Sequence, residues 1–139
     1  MIEMDAMREL LRLSEEGNVE AIASLGKDYY FGWTRTQDYE TALRYLLTAG
    51  EKGDSDSQFL LGSMFSLGLG TKQDLDIALK WFLFAADQGV PEAMYDVAKL
   101  LLSKNDEYSR TCAVDWMRRS AASGYDLAAE WLSEFDVDS

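Results

Sequence analysis

Enzymatic chemistry needs a nucleophile, a base, a metal ligand or an activated cofactor, and this chain is short of most of them. It has no histidine and one cysteine, Cys112. Without imidazole, neither a Ser-His-Asp triad nor a Cys-His pair can be assembled. Histidine-containing zinc sites are ruled out as well, and a single thiolate cannot build a cysteine site. No metal and no cofactor is therefore expected. Cys112 falls close to Arg110 and near Arg118 in sequence, which could activate a thiol. The ordinary behaviour of a free cysteine, a small inert hydrophobe, is the expectation. No G-x-x-x-x-G-K-[ST] phosphate loop occurs, and the pair Gly68 and Gly70 lies between helices rather than between a strand and a helix. Carboxylates are plentiful, 25 in all, and some pair must come close enough to mimic an acid/base couple. A hydrolase using paired carboxylates is thus the distant alternative, and no catalytic residue is assigned.

Those carboxylates outnumber 13 Lys and Arg and leave a net charge of −12. Such a chain is repelled by phosphate backbones and by anionic lipid surfaces, so neither nucleic acid nor membrane is an expected partner. A protein with a basic surface is favoured, because complementary fields speed encounter. The plainer reading is that the charge keeps the protein soluble. A lone cysteine excludes an internal disulfide and suits a reducing compartment. The start, Met1-Ile2-Glu3-Met4-Asp5, has no basic segment or apolar block, and apolar runs such as Trp81 to Ala86 are too short to span a bilayer. A cytoplasmic monomer is the expectation.

The elements that carry these residues are set by a repeat. Gly17, Gly53, Gly89 and Gly124 stand 36, 36 and 35 residues apart, and Ala6, Ala42, Ala78 and Ala113 keep that spacing. So do Tyr45, Trp81 and Trp116. Periods of this size mark stacked helical units. Ala21, Leu25, Tyr29 and Gly32 follow helical spacing and form one stripe. Gly26 and Gly62 lie inside such helices, where glycine costs about 1 kcal/mol relative to alanine. Close approach of a neighbouring helix would justify them. Gly32 and Gly68 are placed to cap a helix end in the left-handed conformation, and Asp38 and Asp74 to start the next helix. The second-type helices should line their inner face with Ala42, Tyr45 and Ala49, then with Ala78, Trp81 and Ala85.

The pattern predicts eight helices over about 2–16, 19–31, 38–52, 55–67, 74–88, 91–103, 108–123 and 126–136. They form one domain, 1–139: a cap helix over 1–17, repeats over 18–53, 54–89 and 90–124, and a second cap over 125–139. The third repeat departs from the others, with Lys104 in place of the capping glycine and a loop one residue shorter.

The residues Ala21-Ile22-Ala23-Ser24-Leu25-Gly26-Lys27-Asp28-Tyr29-Tyr30-Phe31-Gly32, and Asp74 with Ala78, Trp81, Phe82, Ala85, Ala86 and Gly89, resemble the Sel-one-like repeat, a relative of the tetratricopeptide repeat. Departures are Ser57 for the first alanine of the second unit, Val97-Ala98 for Leu-Gly in the third, and Gly50 for an alanine in the first. The resemblance covers essentially the whole chain. It implies an all-α solenoid, a right-handed superhelix of antiparallel helix pairs. It also implies adaptor work, assembling or recognising other proteins. Solenoids act through surfaces.

On a helical wheel, the repeat-defining residues of the first-type helices occupy one side. The other side would form a concave face. It carries Lys27, Tyr30 and Phe31 in the first unit, Tyr95, Asp96 and Lys99 in the third, and Trp131 in the last helix. Leu60, Leu67 and Leu102 fall on that side too but are expected in the core. Trp33 stands in a loop, where a large apolar ring either covers a repeat edge or meets a partner. Lys27, Tyr30, Phe31, Trp33, Tyr95, Asp96, Lys99 and Trp131 are the candidate partner-binding residues, because aromatic side chains dominate interface anchors. The acidic residues at helix starts and at the end, Asp136 and Asp138 included, read as favourable charge at helix N-termini or as a surface for a basic partner. Two roles compete: an adaptor or regulator in a larger assembly, and a dedicated immunity protein or antitoxin neutralising a basic toxin.

Overall fold

The structure, a computed structural model, describes residues 2–135, with side chains from Asp5 onward. The described residues form α-helices with no strand: α1 (Ile2–Glu15), α2 (Val19–Phe31), α3 (Tyr39–Glu51), α4 (Ser55–Leu67), α5 (Leu75–Asp87), α6 (Pro91–Leu102), α7 (Glu107–Ala122) and α8 (Asp126–Glu134). Helices α2, α3, α4, α5 and α7 start where short polar side chains take up free backbone N–H groups. The side chains of Asn18, Asp38, Asp54 and Asp106 accept from the N–H groups of Ala21, Thr41, Ser57 and Ser109. The Asp74 carboxylate accepts from the N–H groups of Asp76 and Ile77. Pro91 opens α6 at a position where its missing N–H costs nothing.

Helices α2 and α4 end the same way. Gly32 and Gly68 adopt φ of 71° and 73° and donate to the carbonyls of Asp28 and Met64. The loops that follow repeat their hydrogen bonds as well. The Asp38 N–H reaches the Tyr29 carbonyl at 2.9 Å and the Asp74 N–H reaches that of Phe65 at 2.8 Å. Gln37 and Gln73 donate to the carbonyls of Tyr30 and Ser66. In the third repeat Lys104 does not take over the capping geometry. Ser103 caps α6 in the right-handed region instead, and the left-handed turn comes two residues later at Asn105, with φ of 57°, since asparagine is the non-glycine residue best suited to that region.

The chain divides into two compact units, Met1–Ala78 and Leu79–Ser139, and the division falls inside α5. In the first unit, α1 packs on α2, α2 on α3 and α3 on α4, and α2 also reaches α4. Its core is built on Leu25, Leu46, Leu61 and Met64, all fully buried, with Ala42 and Ala49 between them. Burying each large side chain contributes about 1.5–3 kcal/mol. Gly26 is where α2 meets α3 most closely: a Cβ there would stand 2.7 Å from Leu46 Cδ2. In the second unit, α7 packs on both α6 and α8, around Ala98, Ala113, Met117 and Ala128.

The buried stripe of the second-type helices differs from the sequence expectation. The alanines are inside, but Tyr45, Trp81 and Trp116 are half-buried. The residue after each, Leu46, Phe82 and Met117, is the buried one. A helix face i, i+4, i+7 runs Ala42, Leu46, Ala49, and the ring at i+3 sits at its edge. Of the leucines expected in the core, Leu60 is buried, Leu102 is half-buried against the α6–α8 cluster, and Leu67 is exposed. Leu67 ends α4 one residue before the Gly68 cap, beyond the reach of its neighbours. The acidic residues Asp136 and Asp138 lie outside the described residues.

Candidate functional site

The first unit gathers four of the sequence candidates. Tyr30, Phe31 and Trp33 form one aromatic array at the end of α2. Tyr30 meets Phe31 edge-on at 4.7 Å, and Phe31 stacks on Trp33 at 4.8 Å with planes 13° apart. Tyr39 closes the array against Tyr30 at 5.5 Å. Phe31 and Trp33 are 47% and 65% exposed, so two large rings stack in water rather than in a core. Burial pushes the Tyr30 hydroxyl pKa up, with a smaller push from Tyr39, so the hydroxyl stays protonated at pH 7.

Lys27, the fourth, belongs to a groove beside the array, about 920 Å³ in volume. Its walls come from Ala6, Met7 and Leu10 of α1, from Lys27 and Asp28 of α2, and from Trp33. The Lys27 ammonium pairs with Asp56 at 3.0 Å, so it is tethered at the start of α4.

A network that the sequence did not reveal holds this end of the unit. Asp28 is 6% exposed. The Thr34 N–H donates to one of its oxygens at 2.8 Å and the Thr34 hydroxyl to the other at 2.5 Å. Arg35 adds an ion pair at 3.1 Å. Burial raises the Asp28 pKa, but the Thr34 hydrogen bonds and the Arg35 charge outweigh it, and the net shift is downward. Arg35 also donates to the Tyr29 hydroxyl at 2.7 Å, lies over the Tyr29 ring and contacts the Met7 sulfur. Tyr29 in turn stacks on Tyr45. The chain on both sides of Trp33 is thereby pinned to α1, α2 and α3. No spacing rule links Asp28 to Thr34 and Arg35, and the matching residue of the next repeat, Met64, is apolar.

The other four candidates lie in the second unit. Tyr95 packs against the α6–α8 core and meets Tyr125 at 5.3 Å, with the Lys99 ammonium 5.4 Å from its ring centre. Trp131 packs against the same core and meets Phe135 at 4.9 Å. Both rings are half-buried, so part of their area already serves packing. Asp96 is half-buried too. Burial drives its pKa up to about 6, with Lys99 opposing and Glu92 reinforcing the shift. The Tyr125 hydroxyl is pushed upward by burial and by the charges of Asp96 and Glu92. Cys112 is partly buried, and its thiol lies close enough to push the hydroxyl pKa of the exposed Tyr108 upward. Among the described residues no three Cys, Asp or Glu side chains group to hold a metal ion, and no helix is long and apolar enough to cross a membrane.

Comparison with known proteins gives the repeat its family. The Sel1 repeat matches residues 19–54, 55–90 and 91–125. No curated protein matches the chain significantly. Among solved structures, one similar chain is a protective antigen present in uropathogenic Escherichia coli strains and displaying an SLR fold. It is 29% identical with a TM-score of 0.86, over 91% of this chain and 27% of the antigen. Another is a Sel1 repeat protein from Oxalobacter formigenes, 28% identical with a TM-score of 0.81, over 89% of this chain and 51% of that one. The chain therefore spans about a quarter and a half of the lengths of these two relatives. Their likeness and the helices described here make the fold an all-α solenoid. With its three matched repeats running from residue 19 to residue 125, the chain belongs to the Sel1 repeat family.

Proposed function

We propose that this chain is a non-enzymatic interaction module, an adaptor or regulator that binds a protein with a basic surface. Its main contact surface is the end of α2, the loop after it and the adjoining groove. Sel1 repeat proteins generally mediate protein–protein interaction. The observation that supports this surface is the stacked pair Phe31 and Trp33, held in water by a hydrogen-bonded loop beside an open, partly apolar groove. Large rings pinned at low conformational freedom make effective anchors, because little entropy is lost when a partner covers them. The net charge of −12 would steer a basic partner toward the chain. Tyr95, Lys99 and Trp131, on the other unit, are secondary contact candidates, with less free ring area.

The test is retrieval of the native partner with the full chain, followed by titration at two salt concentrations. Trp33→Ala should shorten the lifetime of the complex without changing the melting temperature, since the ring is mostly in solvent. Affinity should fall as salt rises, because screening cuts the reach of charge to about 8 Å at physiological ionic strength. A partner that binds Trp33→Ala and Tyr30→Ala as well as the unaltered chain would refute this surface.

A further inference from the structure

The groove has a counterpart inside the same unit, and there it is filled. Aligning the repeats on Gly17 and Gly53 sets Ala6 on Ala42 and Leu10 on Leu46. Ala42 and Leu46 are wholly buried, because α2 lies across them with Gly26 directly against Leu46. From there α2 reaches α4, and Lys27, the residue after that glycine, pairs with Asp56 at 3.0 Å. Helices α3 and α4 thus form a receiving face: an aliphatic floor on one helix and a carboxylate in the first turn of the next.

Helices α1 and α2 repeat this face 36 residues earlier. Ala6 and Leu10 are the floor, and Glu20, in the first turn of α2, takes the place of Asp56. Here the floor is uncovered: Ala6 is exposed, Leu10 is half-buried, and the space above them is the groove. We infer that the groove receives an amphipathic helix of a partner protein, carrying a glycine or alanine over Leu10 and a lysine one residue later for Glu20. The inference rests on the proposed partner surface and names the chemistry of its ligand.

A second copy of this chain is a poor occupant. In the same register α8 offers Ser133 and then Glu134, which would set a carboxylate against Glu20. A like charge at that contact opposes docking. A lysine there accords with the basic partner that the net charge favours.

The probe is a stapled helical peptide of the chain's own residues 18–32, labelled and titrated against the full protein. Saturable binding is expected. Lys27→Glu in the peptide, or Glu20→Lys in the protein, should weaken it by roughly three- to tenfold, the range for reversing a partly exposed ion pair. Combining the two changes should restore it. Ala6→Trp in the protein should abolish binding, and because Ala6 is exposed its circular dichroism and melting temperature should not change. Absence of saturable binding, binding indifferent to both charge reversals, or unchanged affinity of Ala6→Trp would each overturn the inference. So would a wild-type dimer in sedimentation that Ala6→Trp converts to monomer, which would make a second copy the occupant. If the native partner depends on Trp33 while the peptide does not bind, the helix ligand fails and the surface stands. If the native partner ignores both Trp33→Ala and Ala6→Trp, the surface itself fails.

Discussion

Gly70 shows how one residue can be irreplaceable in this repeat. Its φ is 71°, and a Cβ there would fall 2.6 Å from the carbonyl carbon of Tyr39. Backbone cannot move aside as a side-chain tip can. Gly70→Ala should therefore cost roughly 1–2 kcal/mol in left-handed strain plus about 1–3 kcal/mol in overpacking, read as a lower denaturation midpoint. Asp96 makes a pH-dependent case. Its pKa rises from 3.8 to about 6 in the folded chain. Between those values the folded state holds the proton and the unfolded state has released it, so stability falls as pH rises through that window. Asp96→Asn, which cannot ionise, should raise the melting temperature at pH 7 and have little effect below about pH 4. A variant less stable at pH 7 would show that the charge is needed where it stands. Asp28 has the opposite sign. Its depressed pKa stabilises the fold above the ordinary carboxylate value and is lost as pH falls below it, so Asp28→Asn should cost stability at neutral pH and little in strong acid.

For a whole helix, the question is which face carries the energy. In α5 the sequence points to Trp81 as the large inner residue, yet Phe82 is 3% exposed while Trp81 is half-buried. Phe82→Ala should cost about 3–5 kcal/mol, as for large-to-small core changes. Trp81→Ala should cost clearly less. Denaturant titration of the two variants decides it, and equal losses would mean that the two rings share the core. In α7 the same offset makes Met117 the core residue and leaves Trp116 under the Arg119 guanidinium, 4.1 Å from its ring centre. Natural domains hold only about 5–15 kcal/mol in reserve, so one such loss threatens the fold. Repeat proteins spread that reserve over neighbour contacts, and the damage should pass to adjacent helices.

At the scale of the whole molecule, charge and aromatic contact act on different steps. The −12 balance acts over distance, so higher salt should slow association with a basic partner while leaving dissociation nearly unchanged. The exposed rings act on contact, so Trp33→Ala should speed dissociation while leaving association nearly unchanged. Stopped-flow or surface-based kinetics at two ionic strengths would separate the two. If salt changes only dissociation, the net charge is a solubility feature and not a steering one.

The repeat was legible in the sequence because its causes are local. A helix cap needs a short polar side chain, a left-handed turn needs glycine, and a buried stripe needs helical spacing. Asp38, Gly32, Gly68 and Ala42 announce these needs by residue type and position alone. Tertiary structure decided what depends on neighbours distant in sequence. Leu46, Phe82 and Met117 displaced the larger rings beside them, because the crossing of the neighbouring helix, and not hydrophobicity, selects the buried position. Lys27 was legible as a polar face residue, but its tether to Asp56 depends on how α2 and α4 approach. Asp28, Thr34 and Arg35 became one network only when the loop folded back over α2. Ala6 and Ala42 look identical in sequence. One is buried and one is exposed because only Ala42 lies beneath a helix, and that difference makes the groove.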